Sequence, residues 1–283
     1  MVFSDPGGCM ATATAYYSVD MENAFIWSGY VTLSTSTQLQ IAYSGHVQNY
    51  YGYGFTYGAT GISGGTVTST NYYYNDVKIY EITGGSYGAV TIQSYLNADN
   101  ITGLLSYVFA GADVFNGSAY IDVLNGYGGN DKLYGNGGND TLKGGAGNDL
   151  LNGGSGSDVM LGGSGNDIYY VNSAADKVYE TLAEYSTTDA GGVDTVYSYL
   201  AHTSSQTYTL TSFVENGAIK ATGASNMTGN GLSNTIYAGV GNNIMSGGSG
   251  TDTISYASGV TGSTGVKVNL GLTTAQLTGG SGT

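Results

Sequence analysis

Basic residues are the scarcest class in this sequence of 283 residues. Lys and Arg together number six, all of them Lys, against 20 Asp and Glu, which leaves a formal net charge of −14. A nucleic-acid-binding protein needs a basic surface that displaces counterions from phosphate, so that class of partner is excluded. No apolar run approaches the roughly 20 residues of a membrane-spanning helix, so we predict no membrane span.

Proline and cysteine occur only once each. The single Cys9 cannot form an internal disulfide, and one Pro among 49 Gly excludes a collagen-like chain. The N-terminal residues have neither the positive charge nor the apolar stretch of a Sec signal peptide, so export would need another route. The chain does contain 27 Tyr and 41% hydrophobic residues, which argues against general disorder.

Aspartate recurs every nine residues in the middle of the chain, from residue 113 to residue 167. Five consecutive well-formed units fill residues 126–170, and their sequences are GYGGNDKLY, GNGGNDTLK, GGAGNDLLN, GGSGSDVML and GGSGNDIYY. Two degraded units precede them, at residues 108–116 and 117–125. Repetition at a fixed period is typical of solenoid proteins.

Each unit combines a Gly-rich turn with a three-residue strand that has one apolar residue at its centre. Glycine permits positive φ and close approach of backbones, and alternation along the strand points the central residue to one face. Two units would form one coil of a flattened parallel solenoid, with a row of turns along each edge. Units two apart would stack at roughly 4.8 Å, placing Asp131 over Asp149, Asp140 over Asp158, and Asp149 over Asp167.

Stacked carboxylates at that separation repel each other unless a cation lies between them. Ca²⁺ accepts roughly 6–8 oxygen ligands from carboxylates and backbone carbonyls, both of which the turns supply. The alternative is that the Asp residues only shape the turns and that the solenoid is stable without metal. We favour the cation because the core is thin and its like-charged edges repel.

These units resemble the RTX (repeats-in-toxin) calcium-binding β-roll, the hemolysin-type calcium-binding repeat with the consensus GGxGxDxUx. The resemblance covers residues 108–283 and implies a bacterial protein located outside the cell or at its surface. It further implies a chain that stays unfolded at low cytosolic calcium, leaves by type I secretion and folds in extracellular calcium.

The resemblance also assigns Ca²⁺ ligands, with the sixth residue of a unit giving a carboxylate and the turn glycines giving carbonyls. It implies three sites within residues 126–170 and one to three weaker ones outside them. The predicted carboxylate ligands are Asp113, Asp122, Asp131, Asp140, Asp149, Asp158 and Asp167, with a weaker one at Asp252. The predicted glycine ligands are Gly126, Gly128, Gly135, Gly137, Gly144, Gly145, Gly147, Gly153, Gly154, Gly156, Gly162, Gly163 and Gly165.

The sequence predicts an all-β chain in four segments. Residues 1–107 are rich in Tyr and alternate like antiparallel strands, with a helical cap near 88–109. The predicted calcium-binding β-roll follows at 108–170, and a β connector at 171–228 continues the solenoid. A second solenoid at 229–283, which stops in mid-repeat and suggests a truncated chain, has Asn at two key positions. We expect Asn234 and Asn243 to stack as a neutral amide ladder.

No set of catalytic residues emerges from the sequence, so we predict that the chain is not an enzyme. It has two His residues and no HExxH motif, and the GxSxG match at residues 61–65 precedes a strand instead of a helix. The first hypothesis is a secreted structural protein that assembles with itself into a surface layer (S-layer), sheath or filament. The alternatives are an adhesin or glycan-binding module on an RTX stalk, and the non-catalytic calcium-binding part of a larger extracellular enzyme.

Overall fold

A computed structural model describes residues 12–15, 30–34, 38–43, 46–58, 61–74, 77–89, 91–92, 94, 101–181, 188–200, 207–239, 243–255 and 267–268. The chain is all-β, with a parallel solenoid that follows an antiparallel meander. Among these residues, no helix has the length and apolarity that crossing a membrane requires.

The antiparallel meander occupies the first part of the chain. Its strands are β2 (Tyr30–Ser34), β3 (Gln38–Tyr43), β4 (His46–Gly58), β5 (Gly61–Tyr74) and β6 (Val77–Gly88). Each pairs antiparallel with the next, as their alternating β-branched and aromatic residues predict. Residues 61–65, the GxSxG match, lie inside β5 and pair with β4, so they do not form the strand–turn–helix of a nucleophile elbow.

A single short strand, β1 (Thr12–Ala15), connects the meander to the solenoid. It pairs antiparallel with β6 on one side and parallel with the first solenoid strand, β7 (Val114–Asn116), on the other. Helix α1 (Ile101–Val108) lies before β7, and its Leu104 and Leu105 line a cavity with residues of β4, β5 and β6. Within the described residues, the meander and one face of the solenoid therefore form one continuous sheet of 14 strands.

The solenoid strands alternate between two faces. The first face continues the 14-stranded sheet with β7, β9 (Lys132–Tyr134), β11 (Leu150–Asn152), β13 (Ile168–Val171), β15 (Thr195–Ser198), β17 (Asn216–Ile219), β19 (Thr235–Tyr237) and β21 (Thr253–Ser255). In the part of the chain that the structure describes, two four-stranded sheets supply the other strands. They contain β8 (Val123–Asn125), β10 (Thr141–Ala146), β12 (Val159–Ser164) and β14 (Lys177–Tyr179), then β16 (Thr207–Thr209), β18 (Asn226–Thr228), β20 (Ile244–Ser246) and β22 (Lys267–Val268). All neighbouring solenoid strands are parallel.

The predicted register of 18 residues per coil is confirmed in the regular repeats. Leu133 pairs with Leu151 and Leu151 with Tyr169, while Leu142 pairs with Met160 on the other face. The central residue of each of the five units is completely buried. These side chains form one apolar column along the solenoid, so each nine-residue unit contributes one central residue to the core.

The coils lengthen after residue 171 without leaving the stack. Tyr169 pairs with Val196, a spacing of 27 residues, because the turn between β14 and β15 is longer than in the repeats. Val196 then pairs with Gly217, and Gly217 with Ile236, before the 18-residue spacing returns between Ile236 and Ile254. The extra residues lie in the turns, and the parallel pairing of the strands continues through them.

Glycine serves two purposes in the turns of the regular units. The second residue of the unit takes a positive φ, as at Gly145 (113°), and Tyr127 adopts φ 66° at the equivalent place. The first residue has no room for a side chain: a Cβ on Gly144 would overlap Oδ2 of Asp149 and lie 2.6 Å from the carbonyl oxygen of Gly162. At the third residue, a Cβ on Gly128 would meet nothing closer than 3.9 Å.

We predict that Gly144→Ala lowers the free energy of unfolding by about 1–3 kcal/mol, because the added methyl group must displace backbone or a carboxylate. Gly128→Ala is the matched control and should leave stability nearly unchanged, since Ala146 already occupies the third place in another unit. Urea titrations followed by circular dichroism would compare the two variants. Equal effects would contradict the proposed crowding at the first place.

Candidate metal centres

Two rows of carboxylates run along the edges of the solenoid, at the turns that lead into the strands. The first row comprises Asp113, Asp131, Asp149, Asp167, Asp194 and Glu215, and the second row comprises Asp122, Asp140, Asp158 and Asp176. In each row the backbone N–H of one member donates to a carboxylate oxygen of the member one coil further on, at 2.7–3.2 Å. The three stacked pairs predicted from the sequence are confirmed by these bonds.

The second carboxylate oxygen has no such donor through the regular repeats. Oδ2 is buried and lacks a hydrogen-bond partner in Asp131, Asp140, Asp149, Asp158 and Asp167. These five side chains are no more than 2% exposed. A buried carboxylate oxygen without a donor is costly, so each of these positions requires either a proton or a cation.

The carboxyl groups respond to this environment with raised pKa values. Burial is the largest cause, and it raises the pKa of Asp131 to about 8, of Asp140 to about 7 and of Asp149 to about 6. Burial also raises the pKa of Asp167 to about 7, with further contributions from Asp149 and Asp194. Without a cation, these groups therefore retain protons close to neutral pH.

Backbone carbonyl oxygens point into the same spaces as the unpartnered carboxylate oxygens. A Cβ placed on Gly126, Gly135 or Gly144 would lie within 2.6 Å of its own unit's Oδ2 and of a glycine carbonyl one coil further on. The carbonyls belong to Gly144, Gly153 and Gly162 respectively. Carboxylate and carbonyl oxygens are the ligands of hard cations, so three cradles in residues 126–170 fit Ca²⁺.

The irregular units that flank these cradles satisfy the same oxygen with protein donors. Oδ2 of Asp122 accepts hydrogen bonds from the backbone N–H of Ser118 at 2.6 Å and from its hydroxyl at 2.9 Å. Oδ2 of Asp176 accepts from the N–H groups of Asn172 and Ser173. The requirement for a cation is therefore weaker at both ends of the second row than at Asp140 and Asp158.

The remaining predicted ligands lie in the first row or its continuation. The backbone N–H of Asp113 donates to Asp131 at 2.7 Å. Asp252 lies one coil beyond Asn234, and the backbone N–H of Asn234 donates to Oδ1 of Asp252 at 2.9 Å. Oδ2 of Asp252 is buried without a partner. The number of cations that the two rows bind stays a prediction.

The expected ladder between Asn234 and Asn243 is wrong. Asn234 contacts the first row, where its side-chain amide donates to the carbonyls of Val214 and Glu215. Asn243 lies on the other edge and donates to the carbonyl of Ser225. Residues nine apart precede strands of opposite faces, so they cannot stack on each other.

Sequence reasoning missed several members of the rows. Asp176 continues the nine-residue series directly, and Asp194 ends the motif Gly192-Val193-Asp194, so both had a readable signal. Glu215 does not lie at a regular spacing from the other carboxylates, and only the strand pairing places it one coil beyond Asp194.

A second ladder of asparagines lies at the fifth place of the units and was also missed, although the repeated Asn-Asp pair marks it. Oδ1 of Asn130 accepts from the N–H of Asn148, and Oδ1 of Asn148 accepts from the N–H of Asn166, at 2.8 and 2.7 Å. These bonds fix the exposed side of the turns next to the carboxylate rows.

Asp140→Asn should weaken calcium binding on the order of tenfold or more, because the amide replaces a charged ligand oxygen at a buried position. Asp122→Asn is the matched control in the same row and should have a smaller effect, since Ser118 already donates to its Oδ2. Calorimetric titration of the full chain with Ca²⁺ would measure both. Equal losses of affinity would contradict the assignment of Asp140 as a ligand.

The raised pKa values predict opposite pH dependences with and without metal. The folded carboxyl groups bind protons more tightly than unfolded ones, whose pKa is about 3.9, so metal-free stability is fully present below about pH 4. That stability is lost as the pH rises through about 6–8. Calcium competes with these protons, so the calcium-bound form should instead weaken on acidification.

Circular dichroism recorded from pH 5 to pH 8, once with chelator and once with calcium, would measure the folded fraction and test this reversal. A metal-free folded fraction that increases with pH would contradict the burial of uncompensated carboxylates.

Comparison with protein families finds the same repeats. The family model described as RTX calcium-binding nonapeptide repeat (4 copies) matches residues 107–142, 134–169 and 228–260. In comparisons with curated proteins and with solved structures, nothing matches the chain. The first two matched ranges contain the three cradles, and the third contains Asn234 and Asp252.

Proposed function

Because this chain is an RTX β-roll protein with calcium-binding repeats, we propose that it is a secreted structural protein that folds on extracellular Ca²⁺ and assembles with copies of itself into a surface layer, sheath or filament. The observation that carries the proposal is the set of buried, unpartnered Oδ2 atoms along the repeats. They give the folded solenoid a specific need for cations.

Calcium makes folding depend on the compartment. The chain carries a net charge of −14, and its carboxylates are stacked at the edges of a thin core, so folding without cations is opposed by repulsion. Extracellular calcium modules bind Ca²⁺ with dissociation constants of roughly 10⁻⁴–10⁻³ M, which are far above the calcium concentration of the cytosol. A chain that binds in this range stays unfolded until it leaves the cell, as type I secretion requires.

A structural role for residues 61–65 is supported by their pairing with β4 in the antiparallel sheet. The serine of the GxSxG match, Ser63, donates to the hydroxyl of Thr56 on the neighbouring strand and has no histidine partner there. The buried carboxylates of the solenoid belong to the repeating rows. These observations favour a protein that works through its shape and its cations.

Self-assembly is supported by the ends of the continuous sheet. Within the described residues, β2 at one end and β21 at the other each have a single neighbour. Strand edges offer unpaired N–H and C=O groups to another chain, and head-to-tail contacts that do not close produce filaments. Exposed aromatic side chains, among them Tyr53 and Tyr120, add contact area.

One surface favours the alternative of an adhesin or glycan-binding module. On the first face, Tyr197, Asn216, Lys220 and Tyr237 line a shallow groove, with Lys220 Nζ 4.6 Å from the centre of the Tyr197 ring. Aromatic faces stack on sugar rings, and amide and ammonium groups bind sugar hydroxyls. On this alternative, the solenoid would itself present the glycan site.

Sedimentation velocity of the full chain, with millimolar calcium and then with chelator, would test the proposal. We expect slow, expanded monomers in chelator and large species in calcium. A compact monomer in calcium would retain calcium-dependent folding and overturn self-assembly.

A glycan-binding screen with Tyr197→Ala as the control would then test the alternative.

In the sedimentation experiment, unchanged sedimentation in calcium and in chelator would overturn the dependence of folding on calcium itself.

A further inference from the structure

Three buried carboxylates converge where the regular nine-residue series ends. Asp167, Glu180 and Asp194 each contribute one oxygen to a group whose members lie within 4.8 Å of one another. We propose that this group, the three-carboxylate cluster, is a further Ca²⁺ site that binds more tightly than the repeat sites and joins the two halves of the solenoid. The proposal extends the calcium-dependent folding proposed above and rests on it.

Glu180 occupies a place that belongs to glycine in the regular turns. The turns of the first row begin at Gly126, Gly144 and Gly162, and Glu180 follows Gly162 by 18 residues. At the glycine places, the missing side chain leaves room for a carboxylate oxygen and a carbonyl oxygen. At Glu180 a third carboxylate enters instead, so this turn has a different ligand set from the repeats.

The length of the same turn also differs from the repeats. A regular turn reaches its Asp five residues after the first glycine, as from Gly162 to Asp167, whereas Asp194 lies fourteen residues after Glu180. The strands nevertheless stay in register, because Ile168 pairs with Thr195. The cluster therefore lies where the chain rejoins the stacked coils after the longer turn between β14 and β15.

Because the cluster is buried, its three carboxyl groups require either protons or a cation. Asp167, Glu180 and Asp194 are at most 2% exposed. Oδ2 of Asp167 has no hydrogen-bond partner, and the side-chain contacts of Glu180 are with Asp194, a second carboxyl group, and with the hydroxyl of Tyr169. Among the described residues, the ion pair Lys78–Glu81 lies in the meander and includes no member of the cluster.

The spacing of the oxygens suits calcium. Two ligands on opposite sides of a Ca²⁺ ion lie about 4.6–5.2 Å apart, so one ion can contact oxygens that all lie within 4.8 Å of one another. Because affinity rises with the number of charged ligands, three carboxylates should bind Ca²⁺ more tightly than the repeat cradles.

A cation at this position would connect three strands. Asp167 leads into β13, Glu180 follows β14, and Asp194 leads into β15. The backbone N–H of Asp167 also donates to Asp194 at 2.7 Å, so the first row continues through the cluster. Filling this site first would fix the long turn and align the later coils on the regular repeats.

Glu180→Gln removes one charge from the cluster with little change in shape. Calorimetric titration of the full chain with Ca²⁺ should show one site in the wild type that is tighter than the others. In the variant this site should weaken on the order of tenfold or more, while the weaker sites keep their number and affinity. The control is Asp189→Asn, which removes a charge from an exposed residue of the same turn.

A second variant and a second probe keep the test decisive if Glu180→Gln folds poorly. Glu180→Gly restores the residue found in regular turns, so it should fold and still lack the tight site. Luminescence of Tb³⁺, sensitised by tyrosine excitation, should decrease in this variant because Tyr169 lies beside the cluster.

Unchanged tight binding and unchanged luminescence in Glu180→Gly would overturn the proposal. Loss of the tight site there with intact repeat binding would support it. A wild type that binds no Ca²⁺ anywhere would instead overturn the proposed calcium-dependent function.

Discussion

Stacking of carboxylates at one coil spacing is the constraint on which the rest of the structure depends. In the regular repeats, each Asp uses one oxygen to accept a backbone N–H from the preceding coil, at about the same distance every time. That bond fixes the orientation of the carboxylate, so the second oxygen is already directed at the neighbouring glycine carbonyl. The cradles are thus organised by the backbone ladder, and a cation completes them at little further conformational cost.

The same arrangement explains why the solenoid cannot depend on its core alone. Each regular unit contributes one central apolar side chain, such as Leu142 or Leu151, while nine residues must be ordered. Hydrogen-bonded ladders and bound cations have to supply the remaining stabilisation. The first place of each turn is consequently restricted, because even a methyl group would occupy the space shared by the carboxylate and the carbonyl, and the fourth place is restricted too, since a Cβ on Gly147 would overlap the carbonyl oxygen of Gly129.

The parts of this fold that could be predicted are those in which every unit has the same length. A fixed nine-residue period determines the strand positions, the 18-residue register and the three stacked Asp pairs without knowledge of distant contacts. After residue 171 the turns vary in length, so the register of Asp194 and Glu215 depends on where the chain re-enters the sheet. The position of β1 between β6 and β7 could not be predicted from local sequence patterns either, since these strands lie about 70 and 100 residues away in the chain.

The ends of the rows follow from the geometry of a shared ion. A cation between two coils takes ligands from both, so a carboxylate at the end of a row would hold an ion with an incomplete shell. Ser118 at one end of the second row, and Asn172 and Ser173 at the other, donate hydrogen bonds to that otherwise unpartnered oxygen. Asn230 donates in the same way to Asn234. At both ends of the second row, the residues that depart from the repeat consensus therefore satisfy the last carboxylate without a cation.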